Sequence, residues 1–368
     1  PLVQRMIEGD PRAFQDMTRA QNAHHYRDGT ALDAVRTAVS DGACAEGLLG
    51  WLQDAAELQG LGPLFREARA ALRYMAASPA RNPGVVTALE LAEKAPATSG
   101  SDQQRLGLAT ARDLGRLRQS FATLEMAWAN SGTTFRAPLN RLGIAPTDFI
   151  SPKDGTAAAM ALNQLGLVPW LDTTDVFWDH RGGQRVLAAA SSPPAVLLGS
   201  EVDLEPHTLV FRLAATMERA SPALALVSTG SSTDLGLRLA ALQAAFAPSN
   251  AAAPDALPAE LATMASTLWN TVPPTLQRGI SGRLAELQMP SVDALRQAAD
   301  IRAVRVGLLA CEQLDVVLAS LHHDLIVDTP PRAPRDSDLL GPYLKDHPAA
   351  RAIWRFAFSN ERLGLVAH

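Results

Sequence analysis

Apolar residues recur at helical spacing through most of the 368-residue chain. Over residues 1–93 the amphipathic segments alternate with glycine-containing turns, as at residues 27–29 and 41–42, and this alternation predicts helical hairpins. A joint rich in Pro, Ser and Gly follows, and then the apolar spacing predicts one long helix over 104–130. We therefore expect a helical region at 1–93 and a connector at 94–150.

Three short apolar runs, at residues 175–179, 185–190 and 195–198, have the length of strands. The Gly-Gly pair at 182–183 predicts a hairpin turn between the first two. With the flanking helices, these runs predict a small antiparallel sheet in an α+β domain, within a chain that is mainly α. We place this domain at residues 151–327.

Two helices are expected to form the core of this domain. One starts near Pro206 and carries Leu213 on its apolar face, and the other, over residues 292–321, is apolar on most sides and carries Leu309. We expect Leu213 and Leu309 to lie in the same core. Residues 328–368 are predicted to form a Pro-rich extended segment followed by a last helix.

Charge and composition narrow the function classes. The formal net charge is -5, with both signs interspersed, so the chain lacks the basic surface expected of a protein that binds nucleic acid or anionic membranes. No apolar run is long enough to predict membrane insertion. Cys44 and Cys311 lie far apart in apolar segments and are predicted to be buried free thiols, with the cytoplasm as the default location.

Two early segments resemble the paired helices of a tetratricopeptide repeat. The letters Asp-Pro-Arg-Ala-Phe at residues 10–14 resemble the first helix, and Ala-Leu-Asp-Ala-Val at 31–35 resembles the second. The Gly-Tyr pair that is usual in the first helix is missing, and the later helices follow without a clean period. A plain helical bundle is the alternative, and the sequence leaves both open.

Residues 167–321 resemble the catalytic domain of HtpX-like zinc metallopeptidases, a family that also includes the CAAX prenyl proteases. In that family a strand precedes a helix that carries HExxH, and a later helix supplies a Glu ligand. Here Ala-Val-Leu-Leu-Gly at 195–199 resembles the strand, and the letters from Thr208 to Ala214 resemble the lead-in to the motif. The letters from Asp300 to Leu309 resemble the later signature, with Asp300 where the Glu ligand stands and Val304 where its Asp stands.

This resemblance implies that the zinc site has been lost. The positions that would read HExxH read Ala215-Thr216-Met217-Glu218-Arg219. Both His ligands are thus replaced, by Ala215 and Arg219, and the general-base Glu is replaced by Thr216. A catalytic zinc ion needs three protein ligands and an open position for water, and Asp300 alone cannot hold it. We expect no metal, no cofactor and no peptidase activity.

Two alternatives stay open for Arg219. Its permanent positive charge disfavours a nearby divalent cation. If its guanidinium reaches Asp300, the ion pair would occupy the former metal site and join the two helices. Otherwise Arg219 is simply solvated at the end of its helix.

His207, His322 and His323 are the remaining candidate ligands, in a hydrolase that has displaced its metal site. The side chains of adjacent His322 and His323 point to different faces of a helix, so we favour a role at the helix end over a metal site. A third alternative is a sensor that binds a small ligand in the former substrate cleft.

We favour a non-catalytic scaffold or adaptor that binds another protein. Residues 1–93 are expected to carry the binding surface, because stacked hairpins build concave grooves. Aromatic side chains for this surface would come from Phe14, Tyr26, Trp51 and Phe65. The alternative is that all four are buried between helices. The sequence leaves a homo-oligomer open as well.

Overall fold

The computed structural model describes residues 2–8, 10, 12–13, 29–76, 125–127, 135–168, 171, 174–222, 224–247, 258–286, 290–322, 330–359 and 362. In these residues helices predominate and three strands form one sheet, which confirms the mainly α, α+β class. Apart from residues 125–127, the long helix predicted over 104–130 lies outside the described residues.

The described helices of the N-terminal region are α1 (Leu2–Ile7), α2 (Gly29–Ser40), α3 (Glu46–Leu58) and α4 (Gly62–Ala76). Helices α3 and α4 pack against each other. The turn between them contains Gly60 at φ 69°, a left-handed conformation that glycine adopts without steric cost. These two helices form one of the hairpins that the sequence pattern predicts.

The remaining described helices build the body of the protein. They are α5 (Ala157–Gly166), α6 (Pro206–Ala220), α7 (Ala225–Ser228), α8 (Ser232–Phe246), α9 (Ala259–Thr271), α10 (Pro274–Glu286), α11 (Val292–Cys311), α12 (Leu314–Ser320), α13 (Ser337–Asp346) and α14 (Pro348–Ala357). None of the described helices is both long enough and apolar enough to cross a bilayer.

The sheet consists of β1 (Asp175–Asp179), β2 (Val186–Ala189) and β3 (Ala195–Gly199) in the order β1-β3-β2. Strand β3 is antiparallel to β2 but parallel to β1, with Leu197 opposite both Leu187 and Phe177. The prediction of an antiparallel sheet is therefore wrong for the β1–β3 pair. The predicted hairpin between the first two strands is also wrong, because β3 lies between them.

The Gly-Gly turn crosses the end of β3 instead of folding β2 onto β1. The backbone N–H of Gly199 donates to the Arg185 carbonyl at 2.8 Å, and that of Glu201 donates to the Gly183 carbonyl at 3.1 Å. A Cβ atom at position 199 would overlap the Gly183 carbonyl, so this crossing requires a glycine at the end of the strand.

One large hydrophobic core joins the N-terminal helices to the body. It contains residues from α1 to α6, from the sheet, and from α11 to α14. The predicted regions 1–93, 151–327 and 328–368 thus all contribute to it. Within this core, the Trp354 indole N–H in α14 donates a hydrogen bond to the Val39 carbonyl in α2 at 2.6 Å. A second cluster lies mainly among α7 to α10 and the start of α11.

Two predicted element boundaries need correction. The helix predicted over 292–321 is interrupted at Glu312, which adopts φ 54° and separates α11 from α12. The apolar pattern could not reveal this break, because α12 buries Leu314 and Val317 in the same core. The segment predicted as extended over 328–342 includes the first part of α13, which Asp336 caps and which contains an exposed Pro342.

Candidate functional site

The centre of the molecule is the contact between helices α6 and α11. Helix α6 starts at Pro206, and proline fits there because the backbone N–H of a first helical residue would have no acceptor within the helix. The Glu205 side chain caps the helix by accepting a hydrogen bond from the Thr208 N–H at 3.0 Å. Ser291 caps α11 in the same way. Both helices are buried along most of their length, so their polar side chains must find partners within the protein.

The two helices approach closely where Gly307 meets Phe211. A Cβ atom at position 307 would lie 2.6 Å from Cδ2 of the Phe211 ring and 2.8 Å from its carbonyl oxygen. Leu213 and Leu309 are buried in the same core, as expected. The apolar pattern therefore predicted correctly which faces of these two helices are buried.

An ion pair joins the two helices between Arg219 and Asp300, two of the positions that the resemblance aligns with a metal motif. The Arg219 Nη2 atom donates to Asp300 Oδ1 at 2.9 Å, with only 12% and 10% of the two side chains exposed. Of the two alternatives for Arg219, the structure shows the ion pair and not the solvated side chain. The Asp300 carboxylate, which the resemblance aligns with the zinc-binding Glu, is thus engaged by a guanidinium.

A second ion pair lies next to the first. Arg302 donates through Nε and Nη2 to Glu218 Oε1, at 2.7 and 2.6 Å, and the Glu218 side chain is fully buried. Helix α6 therefore supplies Glu218 and Arg219, which are adjacent in sequence. Helix α11 supplies their partners of opposite charge, Arg302 and Asp300. The pair of Arg302 with Glu218 was not predicted from the sequence. The signal was present, because each helix carries one acidic and one basic residue close together in a largely apolar segment.

Ala215, Thr216 and Val304 are further positions that the resemblance aligns with the metal motif. Ala215 is completely buried and has no donor atom. The Thr216 hydroxyl donates to the Arg212 carbonyl one turn earlier at 2.7 Å, so it is used within its own helix. Val304, on α11, is also completely buried and apolar.

The three candidate histidines do not form a metal centre in the described part of the chain. His207 is buried in the first turn of α6, and His322 follows α12, while His323 lies outside the described residues. Burial and the charge of Arg332 lower the pKa of His322. Among the described residues, no group of three or more His, Cys, Asp and Glu side chains could hold a metal ion.

The candidate aromatic residues are only partly described. Trp51 is 5% exposed and packs in the main core, which is the alternative in which the ring is buried between helices. Phe65 is half-buried, with the Arg69 guanidinium 6.0 Å from the centre of its ring. Phe14 and Tyr26 lie outside the described residues.

A third buried ion pair was not predicted, because it joins residues far apart in the sequence. Arg362 contacts Glu67 of α4 at 2.6 Å, and both side chains are almost completely buried. Burial raises the pKa of Glu67 to about 7, against the opposing effect of Arg362. This pair attaches the C-terminal segment to the N-terminal helices.

Comparisons with known proteins add no family assignment. The chain matches no protein-family model, no curated protein and no solved structure.

Proposed function

We propose that this protein is a non-catalytic interaction scaffold, built on a core that resembles a zinc metallopeptidase and carries an ion pair in place of the metal. The contact between Arg219 and Asp300 carries this proposal. A guanidinium at the position of the second His ligand repels a divalent cation, and it also engages the carboxylate that would be the third ligand. In this proposal the ion pair joins α6 to α11 as a bound metal would in a peptidase.

The neighbouring residues support the loss of catalysis. Metal-dependent hydrolysis needs an activated water and a general base, and Ala215 and Thr216 supply neither a ligand nor a base. We also propose a cytoplasmic location, a protein partner, no nucleic-acid partner and no cofactor. The buried free thiols of Cys44 and Cys311 support a reducing compartment.

Measuring the zinc content tests the proposed loss of the metal site and of peptidase activity. Elemental analysis of the purified full chain should find far less than one zinc ion per chain, and added zinc should not induce cleavage of unstructured peptides. The control is the triple variant Ala215→His, Thr216→Glu, Arg219→His, which restores HExxH opposite Asp300 and should take up zinc. About one tightly bound zinc ion in the unmodified chain would overturn the proposal.

The proposed binding of a protein partner needs a test that leaves the hydrophobic core intact. Deleting residues 1–93 would remove helices that contribute to the main core, so single exposed positions are better probes. Leu58, at the end of α3, is 64% exposed, and Leu167, just after α5, is 59% exposed. Both are large apolar side chains, and they form a matched pair.

The tagged full chain should recover a protein partner from lysate, and mass spectrometry can quantify that partner. We expect Leu58→Asp to lower the recovery several-fold, because the N-terminal helices are proposed to carry the surface, and Leu167→Asp to leave it unchanged. A loss with Leu167→Asp alone would move the surface to the body of the protein. Loss of a metal-dependent activity in Asp300→Asn would favour the hydrolase.

A further inference from the structure

Residues 330–334, Pro-Pro-Arg-Ala-Pro, form a segment that we call the strap. Its three prolines fix φ near −65°, and residues that precede proline avoid the helical region, so the segment favours the polyproline-II conformation. That conformation has three residues per turn. The burial pattern agrees, because Pro330 and Ala333 are buried whereas Pro331 and Arg332 are exposed.

Two tyrosine hydroxyls hold the strap. Tyr343 of α13 donates to the Pro331 carbonyl at 3.0 Å, and Tyr74 of α4 donates to the Ala333 carbonyl at 2.6 Å. The guanidinium of Arg335 lies 5.8 Å from the centre of the Tyr74 ring. Within the described residues, no backbone–backbone hydrogen bond joins the strap to another segment.

Tyr74 and Tyr343 line the site that holds the strap, and we call this site the Tyr cleft. Both side chains are buried, with 3% and 8% exposed. Burial raises the pKa of Tyr74, and burial followed by the charge of Tyr74 raises the pKa of Tyr343 to about 12. Both phenols therefore stay protonated near neutral pH and remain hydrogen-bond donors.

The contacts in the Tyr cleft recognise backbone and shape. Both hydroxyls bind main-chain carbonyls, and the buried edge of the strap carries only Pro330 and Ala333. Any polyproline-II segment with small or proline residues three apart can present the same carbonyls. Aromatic clefts that bind extended proline-rich segments use this kind of recognition.

We infer that the Tyr cleft is a binding site for polyproline-II segments, filled by the strap of the same chain until a proline-rich segment of another protein displaces it. This inference rests on the proposed scaffold function and names the class of its partner. Because the strap immediately precedes α13, it competes at a high effective concentration. A free peptide should therefore bind the unmodified chain weakly and bind strongly only when the strap is displaced.

The experiment uses a fluorescent peptide with the sequence of residues 328–336 and the full chain with Ala333→Asp. This substitution places a carboxylate at a position that is 4% exposed, and it should expel the strap while both tyrosines remain. Fluorescence anisotropy should show binding at least tenfold tighter than to the unmodified chain. A peptide of the same composition with its prolines scattered should not bind.

Removing a hydroxyl tests whether the peptide occupies the Tyr cleft. In the Ala333→Asp chain, adding Tyr343→Phe should weaken binding roughly fivefold, the effect of one net hydrogen bond of about 1 kcal/mol. Thr263→Ala in α9, which removes a hydroxyl that donates to the Ala259 carbonyl of the same helix, should not weaken it.

If Ala333→Asp does not fold by circular dichroism, Pro331→Gly with Pro334→Gly loosens the strap without a buried charge. Peptide binding that is no tighter than to the unmodified chain in a folded variant, or that ignores Tyr343→Phe, would overturn the inference. Neither result would change the zinc and peptidase measurements, so the proposed loss of catalysis is judged separately.

Discussion

Gly307 determines how closely α6 and α11 can pack, because a side chain at this position would collide with Phe211. We predict that Gly307→Ala destabilises the protein by roughly 1–3 kcal/mol through overpacking, although alanine is the better helix former. Urea denaturation of the two chains measures the difference.

Gly236 in α8 is the matched control for this prediction. A Cβ atom there would meet only Cγ2 of Val292, at the ordinary contact distance of 3.8 Å. Gly236→Ala should therefore be neutral or stabilise by up to about 1 kcal/mol. Equal losses at both glycines would mean that the helix contact does not depend on the missing side chain.

Glu67 makes the stability of the fold depend on pH. Its pKa is raised from 4.5 to about 7, so the folded chain binds more protons than the unfolded chain between these values. The stability contributed by this group is complete below pH 4.5 and is lost as the pH rises to about 7. Between pH 5.5 and pH 8, the free energy of unfolding relative to Glu67→Gln should fall by roughly 2 kcal/mol.

Denaturation of both chains at several pH values checks this sign. A difference that grows as the pH rises would show that the ion pair with Arg362 outweighs burial.

At the scale of elements, the two ion pairs fix which faces of α6 and α11 meet. A fully buried carboxylate is costly once its partner is removed. We predict that Arg302→Met costs roughly 3–5 kcal/mol, because it leaves Glu218 buried beside a neutral side chain. The double variant with Glu218→Leu should recover most of this loss, since apolar residues of similar volume often replace buried pairs without penalty.

The ion pair between Arg355 and Asp41 provides an exposed comparison. Its length is 2.7 Å, but 47% and 57% of its side chains are exposed. Arg355→Met should therefore cost less than about 1 kcal/mol. Thermal denaturation of the three variants and the unmodified chain shows whether the loss of stability follows the burial of an ion pair or its length. A similar loss for Arg302→Met and Arg355→Met would contradict the argument.

The elements themselves were largely predictable, and their partners were not. Helical periodicity located α6 and α11, and strand-length apolar runs located β1, β2 and β3, because both signals depend on neighbours in sequence. The order β1-β3-β2 depends on where the chain passes after Gly183, which local pattern does not specify. The break at Glu312 was hidden because the apolar residues continue beyond it.

At the scale of the whole molecule, the same limit applies to the candidate site. The metal-motif resemblance was enough to suggest that Arg219 could reach Asp300, because two ordered signatures implied facing helices. No sequence signal joined Glu67 to Arg362 or the tyrosines to the strap. Those contacts connect distant parts of the chain, and a single sequence does not record such pairings.

The bond between Trp354 and Val39 also has a consequence for synthesis on the ribosome. These residues are 315 positions apart, and a ribosome adds about 5–20 residues each second, so α2 precedes α14 by roughly 15 to 60 s. During that interval α2 lacks the contact with α14 that it makes in the finished protein. The buried apolar residues of α2 can therefore complete their packing only after α14 has been made.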